Sequence, residues 1–309
     1  MVMNEEFVQN IRQAVEERLG EGFRVTLQTV RKNNNVLMKG LIISQEGKNI
    51  SPTVYLDSYY RDYINGASEE DIVGSIIDAA EKGMPKSLVN LDFFTDFSAM
   101  ESRICYRLIH AEKNRELLEE IPYIPFLDLA ICFFYPFYHE EIGSGSITIR
   151  NSHMEKWGVS VQTLWERAER NTEMLYPAQC SPMSTLLMEL MGQKQPEEYV
   201  GSLPQKKSEG ELQMLVLSNR QRMFGAGVVL YKDYLEQLAD WFEDSFYILP
   251  SSVHEVILLS CRYQGEKGQL KRTIHEVNTT QVECQEVLSD SLYLYDRDAK
   301  QIRIAETEI

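Results

Sequence analysis

His254 stands in the most polar interruption of this chain's apolar runs, and histidine is the first side chain to consider for acid–base chemistry near neutral pH. The stretch Phe246-Tyr247-Ile248-Leu249-Pro250-Ser251-Ser252-Val253-His254-Glu255-Val256-Ile257-Leu258-Leu259 sets a proline, two hydroxyls, an imidazole and a carboxylate between two strand-like runs. A buried polar group left unpaired costs roughly 1–3 kcal/mol. These groups therefore form either a satisfied turn or a site. Ser252 and His254 are two apart and share a face of an extended chain, while Glu255 faces the other way. A hydroxyl, an imidazole and an orienting acid are the parts of a hydrolytic pocket. No G-x-S-x-G elbow surrounds Ser251 or Ser252, however. As a structural element, the segment should end or bulge its strand at Pro250, which has no N–H for a ladder. His254 or Glu255 should then find a partner in the N-terminal lobe or at the Asn151-Ser152-His153 turn.

His153 follows two good cap residues, Asn151 and Ser152. With Asp57, just past the third strand, it completes the catalytic candidates: Ser252, His254, Glu255, His153 and Asp57. Asn219-Arg220-Gln221-Arg222 is a small basic turn before Phe224-Gly225-Ala226-Gly227, which makes Asn219, Arg220 and Arg222 the candidates for ligand binding. Those glycines lack the Walker lysine and the G-x-G-x-x-G spacing. They suit a bulge or a close backbone approach instead. His139-Glu140-Glu141 resembles the start of H-E-x-x-H, but Gly143 stands where the second histidine is needed. No metal and no cofactor is expected. His275 reads as a surface residue, and His110 as a partly buried one on a helix.

These groups need elements to position them. Phe7, Ile11, Val15 and Leu19 recur at helical spacing. Strands at 25–30 and 36–43 form a hairpin over Asn33-Asn34-Asn35, and 52–56 is a third strand. A helix capped by Ser68 follows to residue 80. The opening is thus α-β-β-β-α. Beyond it, the patterns predict a strand at 88–94, a long helix at 98–118 and strands at 126–134 and 146–150. A helix at 161–171 has Ser160 as its N-cap. An exposed loop spans 193–210. Strands at 212–217 and 227–231, a helix at 234–242, strands at 246–249 and 256–260, a helix at 270–278 and a hairpin of 292–295 with 301–304 complete the chain. This is an α+β fold of mixed or antiparallel sheets with helices packed on one face. At 309 residues the chain exceeds the usual single core. Two closely associated lobes are expected, 1–192 and 211–309, joined by the 193–210 linker.

Composition narrows the function. The formal net charge is -16, which disfavours direct nucleic-acid binding and anionic membrane surfaces. The acidic runs Glu69-Glu70-Asp71, Glu119-Glu120 and Glu140-Glu141 are short and scattered, as on a solubilising surface. The start is acidic rather than basic, so no signal peptide is read. The apolar run at 126–138 is too short to span a bilayer. The cysteines are odd in number and form no CxxC pair, as expected of free thiols in a reducing cytoplasm.

Five motifs in combination carry a resemblance: Asn49-Ile50-Ser51-Pro52-Thr53-Val54-Tyr55-Leu56; Lys113-Asn114-Arg115-Glu116-Leu117-Leu118; Phe126-Leu127-Asp128-Leu129-Ala130; Asn151-Ser152-His153 with Trp157-Gly158; and Leu249-Pro250-Ser251-Ser252 with His254-Glu255. Over nearly its whole length the chain resembles a bacterial family known only as a domain of unknown function, number 5688, common in gut Clostridia. The resemblance implies a whole-chain fold and no reaction. The expectation is a cytoplasmic, non-enzymatic accessory protein whose partner is another protein, mobile-element or anti-defence service being one form of such a role. The alternatives are a hydrolase with a Ser/His pocket and an acidic nucleic-acid mimic.

Overall fold

The structure is a computed structural model that describes residues 3–90, 92–141, 143–190, 203–204, 214–262 and 267–305. It is α+β, with antiparallel sheets. The chain forms two compact units, Met1–Thr95 with Pro136–Ser146, and Asp96–Tyr135 with Ile147–Ile309.

In the first unit, α1 (Glu5–Leu19) begins at Asn4, whose side chain accepts the Glu6 N–H. Next come β1 (Phe23–Arg31), β2 (Leu37–Gln45), β3 (Thr53–Tyr55), α2 (Asp57–Ile64) and α3 (Glu69–Gly83). The β1–β2 turn holds Asn34 and Asn35 at positive φ, a conformation asparagine tolerates better than most residues. Val25 pairs with Ile43 and Leu27 with Leu41, so one sheet face is apolar. Phe7, Ile11 and Val15 of α1 and Ile72, Val73 and Ile76 of α3 bury against it. Gly40 sits mid-strand because a Cβ there would lie 2.6 Å from the Thr53 methyl. Ser68 caps α3 as expected, accepting the Asp71 N–H.

The second unit runs through α4 (Phe97–Met100), β4 (Cys105–His110), α5 (Arg115–Leu118), β5 (Tyr123–Phe126), β6 (Leu129–His139) and β7 (Gly143–Thr148), the β6–β7 tip belonging to the first unit. It continues with α6 (Asn151–Trp157), α7 (Val161–Leu175), β8 (Ala178–Pro182), α8 (Met183–Leu190), β9 (Met214–Asn219), α9 (Lys232–Phe242), β10 (Phe246–Ser252), β11 (Glu255–Ser260), α10 (Lys267–Thr280), β12 (Tyr293–Asp296) and β13 (Gln301–Ile304). One sheet has the order β4-β6-β5, with β7 also on β6, and a six-stranded sheet runs β13-β12-β10-β11-β9-β8. Leu270 and Ile274 of α10 bury against Tyr247, Leu249 and Leu259 of the latter.

Several expectations need correction. The chain does not divide at 193–210: β8 before that segment and β9 after it are paired neighbours in one sheet. The loop itself lies almost wholly outside the described residues. The long helix at 98–118 is instead a short helical turn followed by β4. Ile104, Leu108 and Ala111 fit a helical period, but β4 is buried on both faces, and such a run carries no clear period. The described residues of 88–94 form no strand, and Gly225–Leu230 is a 3-10 helix rather than part of a strand.

Candidate functional site

The site is built where β10 turns into β11 and meets the loop after β9. The β10–β11 register shifts between Pro250 and Ser252, the bulge expected of a proline in a ladder. Beyond the bulge, the Ser252 hydroxyl accepts the backbone N–H of His254 at 3.1 Å. The Ser218 hydroxyl donates to the His254 carbonyl at 2.7 Å. The imidazole Nδ1 accepts the backbone N–H of Phe224 at 3.2 Å, which leaves the ring proton on Nε2. Nε2 faces a Glu286 carboxylate oxygen at 3.8 Å. The two rings, His254 and Phe224, stack at 5.8 Å with planes 12° apart.

The loop after β9 is held just as tightly. Asn219 is buried, donates to the Met223 carbonyl at 2.8 Å and accepts the Met223 N–H at 3.2 Å. Phe224 takes a left-handed conformation, with φ at 54°. Gly225 follows it with no room for a side chain: a Cβ would stand 2.2 Å from Ser218 Oγ and 2.4 Å from the His254 carbonyl oxygen.

Two stretches singled out in the sequence, 219–227 and 250–255, are therefore one structural locus. His254 finds its partner there. That partner, the Phe224 backbone, belongs neither to the Asn151-Ser152-His153 turn nor to the N-terminal lobe. The Ser252 hydroxyl serves the backbone rather than the imidazole. Glu255 opens β11 opposite Ser252. Arg220 and Arg222 are exposed on the loop, and the Arg220 N–H bonds the Pro177 carbonyl. His153 lies in the first turn of α6, where its Nδ1 accepts the Arg150 N–H at 3.0 Å and its ring packs 5.6 Å from Trp157. Partial burial, then the charges of Arg150 and Lys156, press its pKa down. Asp57 opens α2 in the first unit, with Oδ2 enclosed and without a hydrogen-bond partner among the described residues.

Sequence reasoning overlooked two further groups. The first is Arg107 on β4. Its guanidinium lies 4.8 Å over the Phe224 ring, on the same residue that His254 stacks against. Nη2 donates to Thr148 Oγ1 at 3.1 Å, while Nε is enclosed without an acceptor among the described residues. No carboxylate among the described residues pairs with it. Its ladder neighbour, Cys132, is no counter-ion, since burial pushes that thiol up to about 12. The second group is Asp128. Its carboxylate accepts hydroxyls from Ser289 at 2.6 Å, from Ser291 at 2.9 Å and from Tyr293. A signal for it exists: Ser289, Ser291 and Tyr293 alternate, which puts three hydroxyls on one face of an extended segment.

Among the described residues, no cluster of histidine, cysteine and carboxylate side chains could hold a metal ion. A family model described as a family of unknown function, DUF5688, matches residues 4–297. The chain belongs to that family. No curated protein and no solved structure matches it. Membership thus carries a common fold and leaves chemistry to be argued from the side chains.

Proposed function

We propose that the chain is a non-enzymatic accessory protein of the bacterial cytoplasm that acts by binding another macromolecule, a protein in the first instance. One observation carries this reading. The side chains best suited to acid–base work are bonded to their own backbone. Ser252 holds the His254 N–H, and His254 holds the Phe224 N–H. A serine nucleophile needs its hydroxyl within hydrogen-bond reach of the base, and here that hydroxyl points to a main-chain amide. The charge of -16 weighs against a nucleic-acid partner. No helix among the described residues is long and apolar enough to cross a membrane. All five cysteines are free thiols, in keeping with a reducing compartment.

The test is affinity capture of the tagged full chain from an extract of its native host after mild cross-linking. The reading expects the same protein to be retained in replicate captures and to be displaced by excess untagged chain. Replicates that retain nothing in common would overturn it.

A further inference from the structure

Leu19 ends α1, Phe23 opens β1, Ile43 lies near the end of β2 and Ala80 stands in the last turn of α3. Together they line one cleft of about 200 Å3 in the first unit. Ile43 and Ala80 are buried, while Leu19 and Phe23 are half-buried, so the cleft has an apolar interior and an open mouth. α3 stops at Gly83, and Met84 is extended, with ψ at 120°. The strap that follows, 84–89, adds Met84, Pro85 and Lys86 to the lining. It is pinned at three points. The Lys48 ammonium donates to the Lys86 carbonyl, and the Glu141 carboxylate accepts the Lys86 N–H at 2.8 Å. The Asn49 side chain donates to the Val89 carbonyl at 2.7 Å and accepts the Val89 N–H at 3.0 Å. The walls therefore stand before any ligand arrives, which lowers the ordering cost of binding.

Apolar walls select an apolar body, and the charges beside them select what it ends in. Lys48, Lys86 and Glu81 also line the cleft, two cations against one carboxylate. No carboxylate among the described residues forms an ion pair with either lysine. An ammonium has three donors, and that of Lys48 uses one on the Lys86 carbonyl. One surplus positive charge suits a monoanion. The larger cleft of the second unit, about 390 Å3, has no such surplus, since its Lys300 and Lys232 already hold the carboxylates of Glu236 and Glu169. At about 30 Å3 for each water-sized group, 200 Å3 takes roughly six or seven carbons.

We infer that this cleft binds a free medium-chain carboxylic acid, with the alkyl chain against Phe23, Ile43 and Ala80 and the carboxylate at Lys48 and Lys86. This goes beyond the macromolecular reading and stands apart from it: a chain that captures no partner can still bind the acid, and the reverse.

The experiment is calorimetric titration of the full chain with sodium butanoate, hexanoate, octanoate and dodecanoate below their micellar concentrations, with octan-1-ol and octyltrimethylammonium as controls. The dissociation constant should fall about two- to four-fold per methylene up to octanoate and level off beyond it, where added carbons lie in water. The uncharged alcohol should bind about two- to five-fold more weakly than octanoate, and the cation more weakly still. Lys86→Gln, on an exposed side chain, should weaken octanoate by about two- to five-fold, and Glu81→Gln should tighten it by a similar factor. Ala80→Leu, which fills the cleft, should remove most of the affinity; if that variant does not fold, the Lys86→Gln and Glu81→Gln pair decides. Vesicles of phosphatidylglycerol should neither sediment the chain nor displace octanoate. No binding of octanoate, equal or tighter binding of octyltrimethylammonium, affinities that neither Lys86→Gln nor Glu81→Gln changes, a folded Ala80→Leu chain with full affinity, or displacement of octanoate by the vesicles would each overturn the inference.

Discussion

The imidazole Nδ1 of His254 accepts the backbone N–H of Phe224 at 3.2 Å, across 30 residues of sequence. This bond ties the β10–β11 turn to the loop after β9, and the ring stacking above it shares the load. Replacing His254 by alanine leaves the Phe224 N–H without its acceptor and removes the stack. The expected loss is about 1–3 kcal/mol, read as a lower denaturant midpoint with an unchanged slope. An unchanged midpoint would show that the bond contributes nothing to the fold.

Gly225 is the second half of the same joint. A Cβ there would meet Ser218 Oγ, the His254 carbonyl and the Asn219 backbone nitrogen at 2.2, 2.4 and 2.7 Å. Two of these are main-chain atoms that cannot swing aside. Gly225→Ala should therefore cost about 3 kcal/mol or more. Gly74 in α3 is the control, since nothing lies within 4 Å of its Cβ position. Gly74→Ala should stabilise by roughly 0.5–1 kcal/mol through helix propensity. Thermal melts of the two variants moving the same way would contradict this packing account.

Asp128 predicts a pH dependence. Burial acts to raise its pKa, but the hydroxyls of Ser289, Tyr293 and Ser291 outweigh that, and the carboxyl titrates below its usual range. A pKa depressed in the folded state gives stability that is present above the unfolded value of about 3.9. It is lost as pH falls through the lower folded value. Asp128→Asn should cost about 2–3 kcal/mol at pH 7, the worth of a charge-assisted bond. The gap between wild type and variant should close below about pH 4. Parallel unfolding curves across that range, with a constant gap, would argue against the carboxylate as the source.

Thiol reactivity follows burial. Cys105, Cys132 and Cys180 are buried, and burial pushes each thiol up to about 12. Cys261 is half-buried and raised to about 11, while Cys284 is exposed. Because the thiolate is the reactive species, a disulfide reagent at pH 8 should label Cys284 first in the native chain. The three buried thiols should react only on unfolding. Fast native labelling of any of those three would contradict the core assignments.

Much of this architecture was legible in the sequence. The helix of Phe7, Ile11 and Val15, the Asn33–Asn35 hairpin, the Ser68 and Ser160 caps and the closing hairpin follow local rules of period, turn and cap, and each forms in place. The bulge at Pro250 was legible for the same reason. What was not legible depends on burial from both sides. β4 lost its alternation because Tyr106 packs on one face and Cys105 on the other, so its apolar residues mimic a helical stripe. The site divides along the same line. Pro250, Ser252, His254, Asn219 and Gly225 announced themselves as polar or glycine interruptions of apolar runs. Arg107 did not, because an arginine in a stretch read as a helix looks like an ordinary solvated residue. That it lies over Phe224 depends on a contact between residues far apart in the chain, which no local pattern encodes.

The proposed partner-binding function rests on Ser252 and His254 serving the chain's own backbone. Capture of the tagged wild type and of Ser252→Ala from native host extract, alongside an assay of both chains against a panel of activated esters, separates partner binding from hydrolysis. The same protein should co-purify with both chains, and neither should turn over the esters above the uncatalysed rate. Ester turnover by the wild type that Ser252→Ala abolishes, with no partner retained by either chain, would contradict it.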